Sequence, residues 1–373
     1  MRIALIRQRY TAFGGAERFV TNALEALKSQ GAQLTLVTRQ WQAQAGLDAV
    51  ICNPFYLGSL WRDWGFARAV CRELARRDFD LVQSHERIAC CDVYRAGDGV
   101  HAQWLANRCA ALGAVGRLAL ALNPHHRYVL AAERGLFESP RLRAVICNSR
   151  MVKEEIRRHF GVDEDKLHVI YSGVDTAAFH PELRTQHRQA VRERHGIPTD
   201  ALVFLHVGSG FERKGIARLL AALARLPGAA RALIVGKDKH LERYQRLADH
   251  LGLAGRAYFT GGLTDVKPCY GAADVFCLPT LYDPFPNAAL EAMASGLPVV
   301  TSTQCGAAEL IEPGRNGFVC DALDVTALAD AMRRAAERSS EMGVAARRTV
   351  EPLTLTAMSA RLVGLYQKLL GAR

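Results

Sequence analysis

Two carboxylates, Asp283 and Glu291, stand eight positions apart in the stretch DPFPNAALEAMASGLPVV. If a helix begins between them, Glu291 lies one turn inside it and can accept hydrogen bonds from the hydroxyl groups of a ligand. Asp283, on the preceding loop, can then bind another part of the same ligand. The alternative is structural, because the helix dipole also favours an acid near a helix N-terminus that binds nothing.

The residues between the two acids carry the signals of a helix start. Pro284 and Pro286 disfavour helix before them and Asn287 can cap it, so we predict a helix over AALEAMAS that Gly296 ends. The free N–H groups of such a start, here at Asn287 and Ala288, attract a phosphate. The helix dipole contributes about 0.3 to 1 kcal/mol, and about 2 kcal/mol in a partly buried site.

A second candidate is the Gly-rich segment GSGFERKG, residues 208–215, which follows a predicted strand and opens a predicted helix. Its spacing matches neither the P-loop nor the dinucleotide-binding pattern. Arg213 and Lys214 nevertheless stand at a helix entrance. A cation about 4 Å from a phosphate contributes on the order of 4 kcal/mol at an effective dielectric constant near 20, before desolvation. A solvated charge pair is the alternative.

The segment FGGAER, residues 13–18, repeats this design near the N-terminus. Gly14 and Gly15 would let the backbone approach a ligand closely, where any side chain would obstruct it. A Gly-Gly pair is also common in turns that bind nothing, so this segment is weak evidence by itself.

Parallel sheets are the elements that can hold these segments together. Short β-branched runs alternate with helical patterns, which is typical of parallel sheets covered by helices. Strand, Gly-rich turn and amphipathic helix occur in this order at residues 2–27 and again at 202–226, so we predict two Rossmann-like domains joined between residues 172 and 200. The predicted strands are 2–6, 34–38, 48–52, 81–84, 144–148 and 167–171, then 202–208, 232–236, 257–260, 274–279 and 297–302.

Size and composition agree with two soluble α/β domains. The chain has 373 residues and a formal charge of +11, and no apolar run reaches the 18 residues that indicate a membrane span. Its N-terminal apolar run is too short for a secretory signal. Ten irregularly placed cysteines indicate a reducing compartment, so the predicted location is the cytosol. The positive charge favours anionic partners: nucleic acid, anionic lipid or phosphorylated substrates.

Taken together, FGGAER, GSGFERKG and the acid-x7-Glu segment resemble glycosyltransferase family 4, the retaining nucleotide-sugar transferases of the GT-B fold. The likeness spans nearly the whole chain. FGG, GSGF followed by KG, and ERGLFESPRLRAVICNS are most similar to the lipopolysaccharide-core glucosyltransferases that modify inner-core heptose. The resemblance implies two Rossmann-like domains facing a cleft: an acceptor-binding domain over residues 1–172, which the C-terminal helix at about 355–373 rejoins, and a nucleotide-sugar-binding domain over 173–354.

The resemblance also implies roles for individual residues. Lys214 and Arg213 would neutralise the donor diphosphate, Asp283 would bind donor-sugar hydroxyls, and Glu291 would bind the ribose. The first acid is usually Glu in this family, so the presence of Asp283 leaves the donor-sugar preference open. A second difference is Ser209, which stands where many relatives have Arg. Together with the residues singled out above, the candidate catalytic residues are Asp283, Lys214, Arg213 and His101, and the candidate donor-binding residues are Gly14, Gly15, Ser209, Asn287, Ala288 and Glu291.

His101, in GDGVHAQW, is a candidate contact to the donor sugar, although a satisfied surface or core histidine explains it equally well. No metal and no cofactor are expected. The DFD and DED triplets at 78–80 and 163–165 are interpreted as structural, and His125 and His126 are neighbours that cannot share a helix face as ligands. The resemblance implies retention of anomeric configuration, with the leaving phosphate deprotonating the acceptor hydroxyl.

Basic and aromatic residues in SLWRDWGFARAVCRELARR predict contact with an anionic membrane surface. Arg68, Arg72 and Arg76 have i, i+4 spacing, and Trp61, Trp64 and Phe66 cluster at the start of the predicted helix. A solvated helix whose tryptophans pack inward is the alternative. A second basic region runs from 117 to 158. Nucleic-acid binding is disfavoured because the arginines are scattered and no nucleic-acid-binding motif is present.

The sequence therefore predicts a hexosyltransferase at the cytoplasmic face of the inner membrane. The resemblance implies that it moves a hexose from a nucleotide sugar, with UDP-glucose as the expected donor, to a lipopolysaccharide core or another lipid-linked glycan. The alternatives are a transferase for another acceptor, such as an exopolysaccharide or a small phosphorylated sugar, a sugar-nucleotide epimerase, and a non-catalytic relative that binds anionic ligands.

Overall fold

Two parallel sheets, each covered by helices, make up the computed structural model, which describes residues 2–9, 33–40, 48–110 and 112–371. The chain divides into two units. The first unit is Met1–Ser172 together with Leu355–Arg373, and the second is Gly173–Thr354. The predicted fold class, with two Rossmann-like domains and a last helix that belongs to the first of them, is confirmed.

The sheet of the first unit has the strand order β3-β2-β1-β4-β5-β6-β7, and its described pairings are parallel. Strand β5 was not predicted, because the buried Arg95 interrupts its apolar pattern. The strands are β1 (Arg2–Ile6), β2 (Gln33–Thr38), β3 (Asp48–Ile51), β4 (Leu81–Ser84), β5 (Val93–Ala96), β6 (Ala144–Cys147) and β7 (Leu167–Val169).

The helices that follow these strands cover one face of the sheet with apolar residues such as Phe66, Val70 and Leu136. A short 3-10 helix at Glu164–Lys166 precedes β7. The helices are α1 (Gly58–Leu74), α2 (His101–Ala110), α3 (Ala114–Leu122), α4 (Pro124–Phe137) and α5 (Arg150–Phe160).

The sheet of the second unit has the order β10-β9-β8-β11-β12-β13, again with parallel pairings. Strand β13, GFVC, was not predicted, because it is a four-residue run that opens with glycine. The strands are β8 (Leu202–Val207), β9 (Ala230–Val235), β10 (Ala257–Gly261), β11 (Val275–Leu278), β12 (Val299–Ser302) and β13 (Gly317–Cys320).

The helices of the second unit pack on a core that includes Phe204, Phe211 and Met332, all with no exposed surface. A 3-10 helix at Gly306–Leu310 follows β12. The helices are α6 (Leu183–Arg194), α7 (Ile216–Ala224), α8 (Leu241–His250), α9 (Lys267–Ala272), α10 (Asn287–Ala294), α11 (Val325–Glu337) and α12 (Ser339–Val350).

The last helix, α13 (Leu355–Gly371), covers the second face of the first sheet. Leu362 and Tyr366 pack there against Leu5, while Ala4 and Ile6 of the same strand face the opposite layer, as strand alternation requires. The buried Tyr366 hydroxyl donates a hydrogen bond to the side-chain oxygen of Gln83 on β4. The first unit is therefore complete only with the C-terminal residues.

One disulfide corrects the expectation that all ten cysteines are reduced. Cys71 on α1 is bonded to Cys90 in the loop after β4, with their Cα atoms 5.8 Å apart. The other eight cysteines are free thiols. The sequence did not predict this bond, because the two residues are 19 positions apart and match no spacing motif.

Candidate active site

The carboxyl edge of the second sheet brings together two of the segments singled out from the sequence. Strands β8 and β11 are neighbours, and the strand order reverses between them. The GSGFERKG loop follows β8, and the loop that contains Asp283 follows β11. Ligands of open α/β sheets bind at such switch points, so both loops are placed where a ligand site is expected.

The conformation of the GSGFERKG loop depends on glycine. Gly215 has a φ of +75°, and a Cβ atom at this position would lie 1.8 Å from the carbonyl oxygen of Pro279. Ser209 also has a structural contact, because its Oγ accepts a hydrogen bond of 3.0 Å from the Lys237 N–H group. The loop is thus fixed against β11 and the end of β9, with helix α7 directly after it.

Lys214, Arg213 and Asp283 meet in one ion-pair cluster. The Lys214 ammonium donates to Asp283 Oδ2, and Arg213 Nη1 lies 3.4 Å from the same oxygen. Arg213 Nη1 also donates to the Tyr282 carbonyl oxygen at 2.9 Å. Lys214 is 8% exposed and Asp283 5%, so their charges are largely withdrawn from water and compensate each other.

Asp283 is held as a carboxylate by this cluster. Burial raises its pKa, but the charges of Lys214 and Arg213 outweigh burial and keep the pKa below its ordinary value. Its backbone is fixed as well, because the Asp283 N–H group donates to the Gln304 carbonyl oxygen at 2.9 Å and its carbonyl accepts from Gly306 at 2.8 Å. The carboxylate therefore has a defined position from which it can accept hydrogen bonds.

The helix predicted after Asp283 is present, with one correction at its start. Helix α10 begins at Asn287, so this residue lies within the first turn and Pro286 occupies the cap position, without a side-chain cap hydrogen bond. The predicted end at Gly296 is confirmed. Gly296 has a φ of +76°, and its N–H group donates to the Met293 carbonyl oxygen at 3.0 Å, as expected for a glycine after a helix end. The N–H groups of Asn287 and Ala288 thus begin a helix that has no side-chain cap.

Glu291 lies one turn into α10, as predicted, and is 5% exposed. Its Oε2 atom accepts a hydrogen bond of 2.8 Å from the hydroxyl of Tyr270, and the same hydroxyl lies 3.3 Å from the Ala288 carbonyl oxygen. Tyr270, on α9, is itself buried and stacks on Phe276. Sequence reasoning missed Tyr270, because the segment KPCYGA carries no motif that points to a site.

His206, the second residue that sequence reasoning missed, lies beneath this cluster on β8 and has no exposed surface. Its Nδ1 atom is 3.2 Å from the Cys277 carbonyl oxygen, which can only accept, so Nδ1 carries the proton. Burial, and then the charge of Lys214, lower its pKa to about 4, so the ring is neutral at pH 7. Its Nε2 atom is buried and makes no hydrogen bond with the residues that the structure describes.

His101 belongs to the first unit, at the start of α2 just after β5. Its N–H group donates to Glu133 Oε1 at 2.7 Å, and its ring Nε2 is 3.1 Å from Nδ1 of His126. Burial, followed by the charge of Arg87, lowers the pKa of His101 to about 3. The ring is therefore a neutral hydrogen-bonding group. Glu133, 1% exposed, had not been singled out in the sequence.

The remaining candidates of the first unit are Gly14 and Gly15, which lie outside the described residues. Within the described ranges, no group of three or more His, Cys, Asp or Glu side chains is arranged to hold a metal ion.

Helix α1 differs in two respects from the predicted membrane-facing helix. Phe66 is buried in the core, and Arg76 lies beyond the helix end, where it pairs with Glu73 at 3.3 Å. Trp61 and Trp64 remain 41% and 46% exposed, which excludes the alternative in which both pack inward. Arg68 lies over the ring of Trp64 at 5.7 Å.

Helix α3 presents a second exposed apolar surface, which was not predicted. Val115, Leu118 and Leu122 are 84%, 61% and 66% exposed and share one helical face by their spacing. Among the described residues, no helix has the length and apolar character needed to cross a membrane.

Two family profiles match the chain: Glycosyltransferase Family 4 over residues 13–178 and Glycosyl transferases group 1 over residues 187–349. The chain is 25% identical over 325 residues to the lipopolysaccharide glucosyltransferase WaaG of Escherichia coli strain K12. The aligned region covers 86% of this chain and 85% of that protein. A crystal structure of WaaG superimposes with a TM-score of 0.84 at 23% identity, covering 97% of this chain and 99% of that chain. The Anabaena protein HepE, in complex with UDP-glucose, superimposes with a TM-score of 0.74 at 19% identity, covering 99% of this chain and 100% of that chain.

Proposed function

The chain belongs to the glycosyltransferases of the GT-B fold, and from this premise we propose that it is a retaining hexosyltransferase that works without a metal ion or a cofactor. The proposed donor is UDP-glucose, and the proposed acceptor is a lipopolysaccharide core or another lipid-linked glycan. Sequence similarity to a lipopolysaccharide glucosyltransferase over 86% of the chain, and the fold shared with a UDP-glucose-bound protein, support this choice.

The observation that carries the proposal is the cluster of Lys214, Arg213 and Asp283 next to the start of α10. The carboxylate of Asp283 neutralises the two cations. A nucleotide diphosphate would offer them a second anion, and the N–H groups of Asn287 and Ala288 would add the helix dipole term. In this proposal the cations move to the diphosphate, and Asp283 becomes free to accept hydrogen bonds from donor-sugar hydroxyls.

Charge development explains how this arrangement would accelerate transfer. When the bond between the anomeric carbon and the phosphate breaks, negative charge grows on the diphosphate and positive charge on the sugar. Once the donor is bound, Lys214 and Arg213 would already lie on its diphosphate, and charges placed there before the chemical step stabilise the transition state without reorganisation during that step. The leaving phosphate would take the proton from the acceptor hydroxyl on the same face of the sugar, which gives retention.

Glu291 would bind the ribose of the donor, because Tyr270 fixes its carboxylate one turn inside α10. His101 would contact the donor sugar as a neutral ring, which suits a hydroxyl partner better than a phosphate. Gly14, Gly15 and Ser209 complete the proposed donor set. Ser209 Oγ already accepts from Lys237, so its hydroxyl proton is what it would offer to a ligand.

We place the protein at the cytoplasmic face of the inner membrane, bound peripherally. The exposed Trp61 and Trp64 of α1 with the adjacent Arg68, and the exposed apolar face of α3, support this part of the proposal. Both belong to the first unit, which would bind the acceptor. An apolar side chain that moves fully from water into an apolar phase gains roughly 1.5 to 3 kcal/mol.

The experiment that tests the function is a transfer reaction with purified protein, UDP-glucose and lipopolysaccharide lacking its outer sugars. The expected result is one glucose added per acceptor with the anomeric configuration of the donor kept, in the presence of a metal chelator. Inversion of configuration, or activity that the chelator abolishes, would contradict the mechanism. Binding of UDP-glucose without any transfer to any glycan would favour the non-catalytic alternative.

A further inference from the structure

A cavity of about 120 Å³ lies within the first unit, at the carboxyl edge of its sheet. Strands β1 and β4 are neighbours there, and the strand order reverses between them. This is the first unit's own switch point, the place where open α/β sheets bind ligands. Gln8 follows β1, Glu86 and Arg87 follow β4, and residues of α1 and α4 complete the wall.

Asp63 of α1 organises the polar part of this wall. Its Oδ1 atom accepts hydrogen bonds from Arg62 Nε at 2.8 Å and from Gln8 Nε2 at 3.0 Å, and its Oδ2 atom lies 2.9 Å from His125 Nε2. Burial raises the pKa of Asp63, but these hydrogen bonds outweigh burial and lower it below its ordinary value. The ionised carboxylate therefore joins the loop after β1, helix α1 and helix α4 around the cavity.

Two further groups can bind hydroxyls. Glu86 Oε1 accepts a hydrogen bond of 2.9 Å from the Gln8 N–H group, which fixes this second carboxylate at the end of β4. Tyr128 of α4 lines the cavity, and burial, with the nearby charge of Asp63, raises its pKa to about 12. Its phenol therefore keeps its proton at pH 7 and can both donate and accept. Phe66 adds an apolar surface.

The basic and acidic residues that line the cavity are equal in number. Arg62 and Arg87 contribute two guanidinium groups, and Asp63 and Glu86 contribute two carboxylates. A phosphate would meet carboxylates as well as cations, so this wall does not favour an anion. A sugar hydroxyl both donates and accepts, so it can use both kinds of group.

The volume limits how much of a ligand can enter. At about 120 Å³, the cavity can admit one edge of a sugar ring rather than a longer stretch of glycan. We propose that this cavity binds the neutral, hydroxyl-bearing edge of a sugar in the acceptor glycan, with Asp63, Glu86 and Tyr128 as its hydrogen-bonding groups. The assignment of this sugar to the acceptor rests on the proposed function.

The position of the cavity relative to His101 fits an acceptor subsite. His125, which contacts Asp63, is followed on α4 by His126, whose Nδ1 is 3.1 Å from Nε2 of His101. Two consecutive residues thus connect the cavity wall to His101, the residue proposed to contact the donor sugar. A sugar bound in the cavity would lie at the same edge of the sheet as His101.

The test is calorimetric binding of deacylated lipopolysaccharide core oligosaccharide, before and after enzymatic removal of its phosphates. Tyr128→Phe removes one hydroxyl, and Ala132→Leu fills the cavity from α4 without changing a polar group. We expect each variant to weaken binding of the phosphate-free oligosaccharide at least tenfold, with the melting temperature unchanged. Asp63→Asn should weaken it further. Glu154→Gln, the same kind of acid-to-amide change on the exposed part of α5, should leave affinity unchanged.

Equal affinity of wild type, Tyr128→Phe and Ala132→Leu would overturn the proposal, and so would binding that requires the phosphates or no binding to the wild type. UDP-glucose binding, measured in the same samples, reports on the donor site separately. We expect it to change less than twofold in all variants. If the wild type binds the oligosaccharide in the cavity but not UDP-glucose, the proposed donor is wrong and the sugar subsite stands.

Discussion

Replacing Lys214 by methionine removes one charge from the buried cluster and keeps an unbranched side chain. The remaining carboxylate of Asp283 is 5% exposed and keeps only Arg213, at 3.4 Å, as a cationic neighbour. Removing one partner of a buried ion pair costs about 3 to 5 kcal/mol. Because Arg213 compensates part of the charge, we expect the free energy of unfolding to fall by about 3 kcal/mol at pH 7.

The pH dependence of this loss follows from the pKa of Asp283. Its folded pKa is depressed, so the carboxylate stabilises the protein above its unfolded pKa of about 3.9 and loses this contribution as pH falls through the folded value. Without Lys214 the effect of burial is opposed mainly by Arg213, and the pKa rises. The destabilisation measured by urea unfolding should therefore be largest near pH 7 and shrink below about pH 4.

The same variant should lose transfer activity. A cation about 4 Å from the diphosphate contributes on the order of 4 kcal/mol, and each 1.36 kcal/mol is a factor of ten in rate. The largest loss of rate expected from removing Lys214 is therefore about a thousandfold. Arg213 remains, and we expect kcat/KM for UDP-glucose to fall about 100- to 1000-fold in an assay of UDP release. Lys153→Met, which removes a lysine paired with the exposed Glu164, is the matched control.

A double variant separates stability from catalysis. Lys214→Met with Asp283→Asn removes both charges of the pair, so it should recover much of the lost stability while transfer stays low. A folded Lys214→Met protein with activity within threefold of wild type would refute the assigned role of Lys214. Recovery of transfer in the double variant would refute it too, because the loss would then come from the unpaired carboxylate.

Three further outcomes are expected. Gly215→Ala should lower the melting temperature and abolish UDP-glucose binding, because the new Cβ atom would lie 1.8 Å from the Pro279 carbonyl oxygen. Gly228→Ala should do neither, because a Cβ atom added there would have no neighbouring atom within 4 Å. Tyr270→Phe should weaken UDP-glucose binding about tenfold, since a hydrogen bond to a charged group contributes about 1.5 to 3 kcal/mol, and unchanged affinity would remove Glu291 from the donor site. Leu118→Ser with Leu122→Ser should reduce sedimentation with anionic vesicles, and Arg68→Gln with Arg72→Gln should reduce its salt sensitivity. Leu323→Ser, at an exposed position of the second unit, is the control for the leucine pair, and wild-type binding by both pairs of variants would contradict the membrane surface.

The fold could be predicted from the sequence wherever local signals were complete. Buried parallel strands are recognisable in the sequence as apolar runs, and the Gly-rich turn after β8 indicates the change from strand to helix. The prediction failed at β5 and β13, where a buried Arg95 and a leading glycine break the run. Arg95 is tolerated in this strand because contacts with residues distant in the sequence override its β-propensity. A sequence pattern does not reveal such contacts.

Contacts between distant residues explain most of what was missed at the candidate site. Tyr270 reaches Glu291 from another helix, and Glu133 holds the His101 backbone from 32 positions away. Neither pair has a spacing motif, because the separation is set by how the helices pack on the sheet. The exposed face of α3 was missed for a different reason, since a helix with apolar residues at these spacings is normally expected to bury them.

The pairing of Lys214 with Asp283 shows what is missed when each residue is interpreted separately. The resemblance implies a role at the diphosphate for the lysine and a role at the sugar for the acid, and it treats the two side chains as unpaired. The two buried opposite charges at this switch point neutralise each other, because an isolated buried charge is far costlier. In the proposed function, donor binding would therefore exchange one ion pair for another, and only the difference between the two would contribute to affinity. Such an exchange favours a ligand that brings both a diphosphate for the cations and hydroxyls for the released carboxylate.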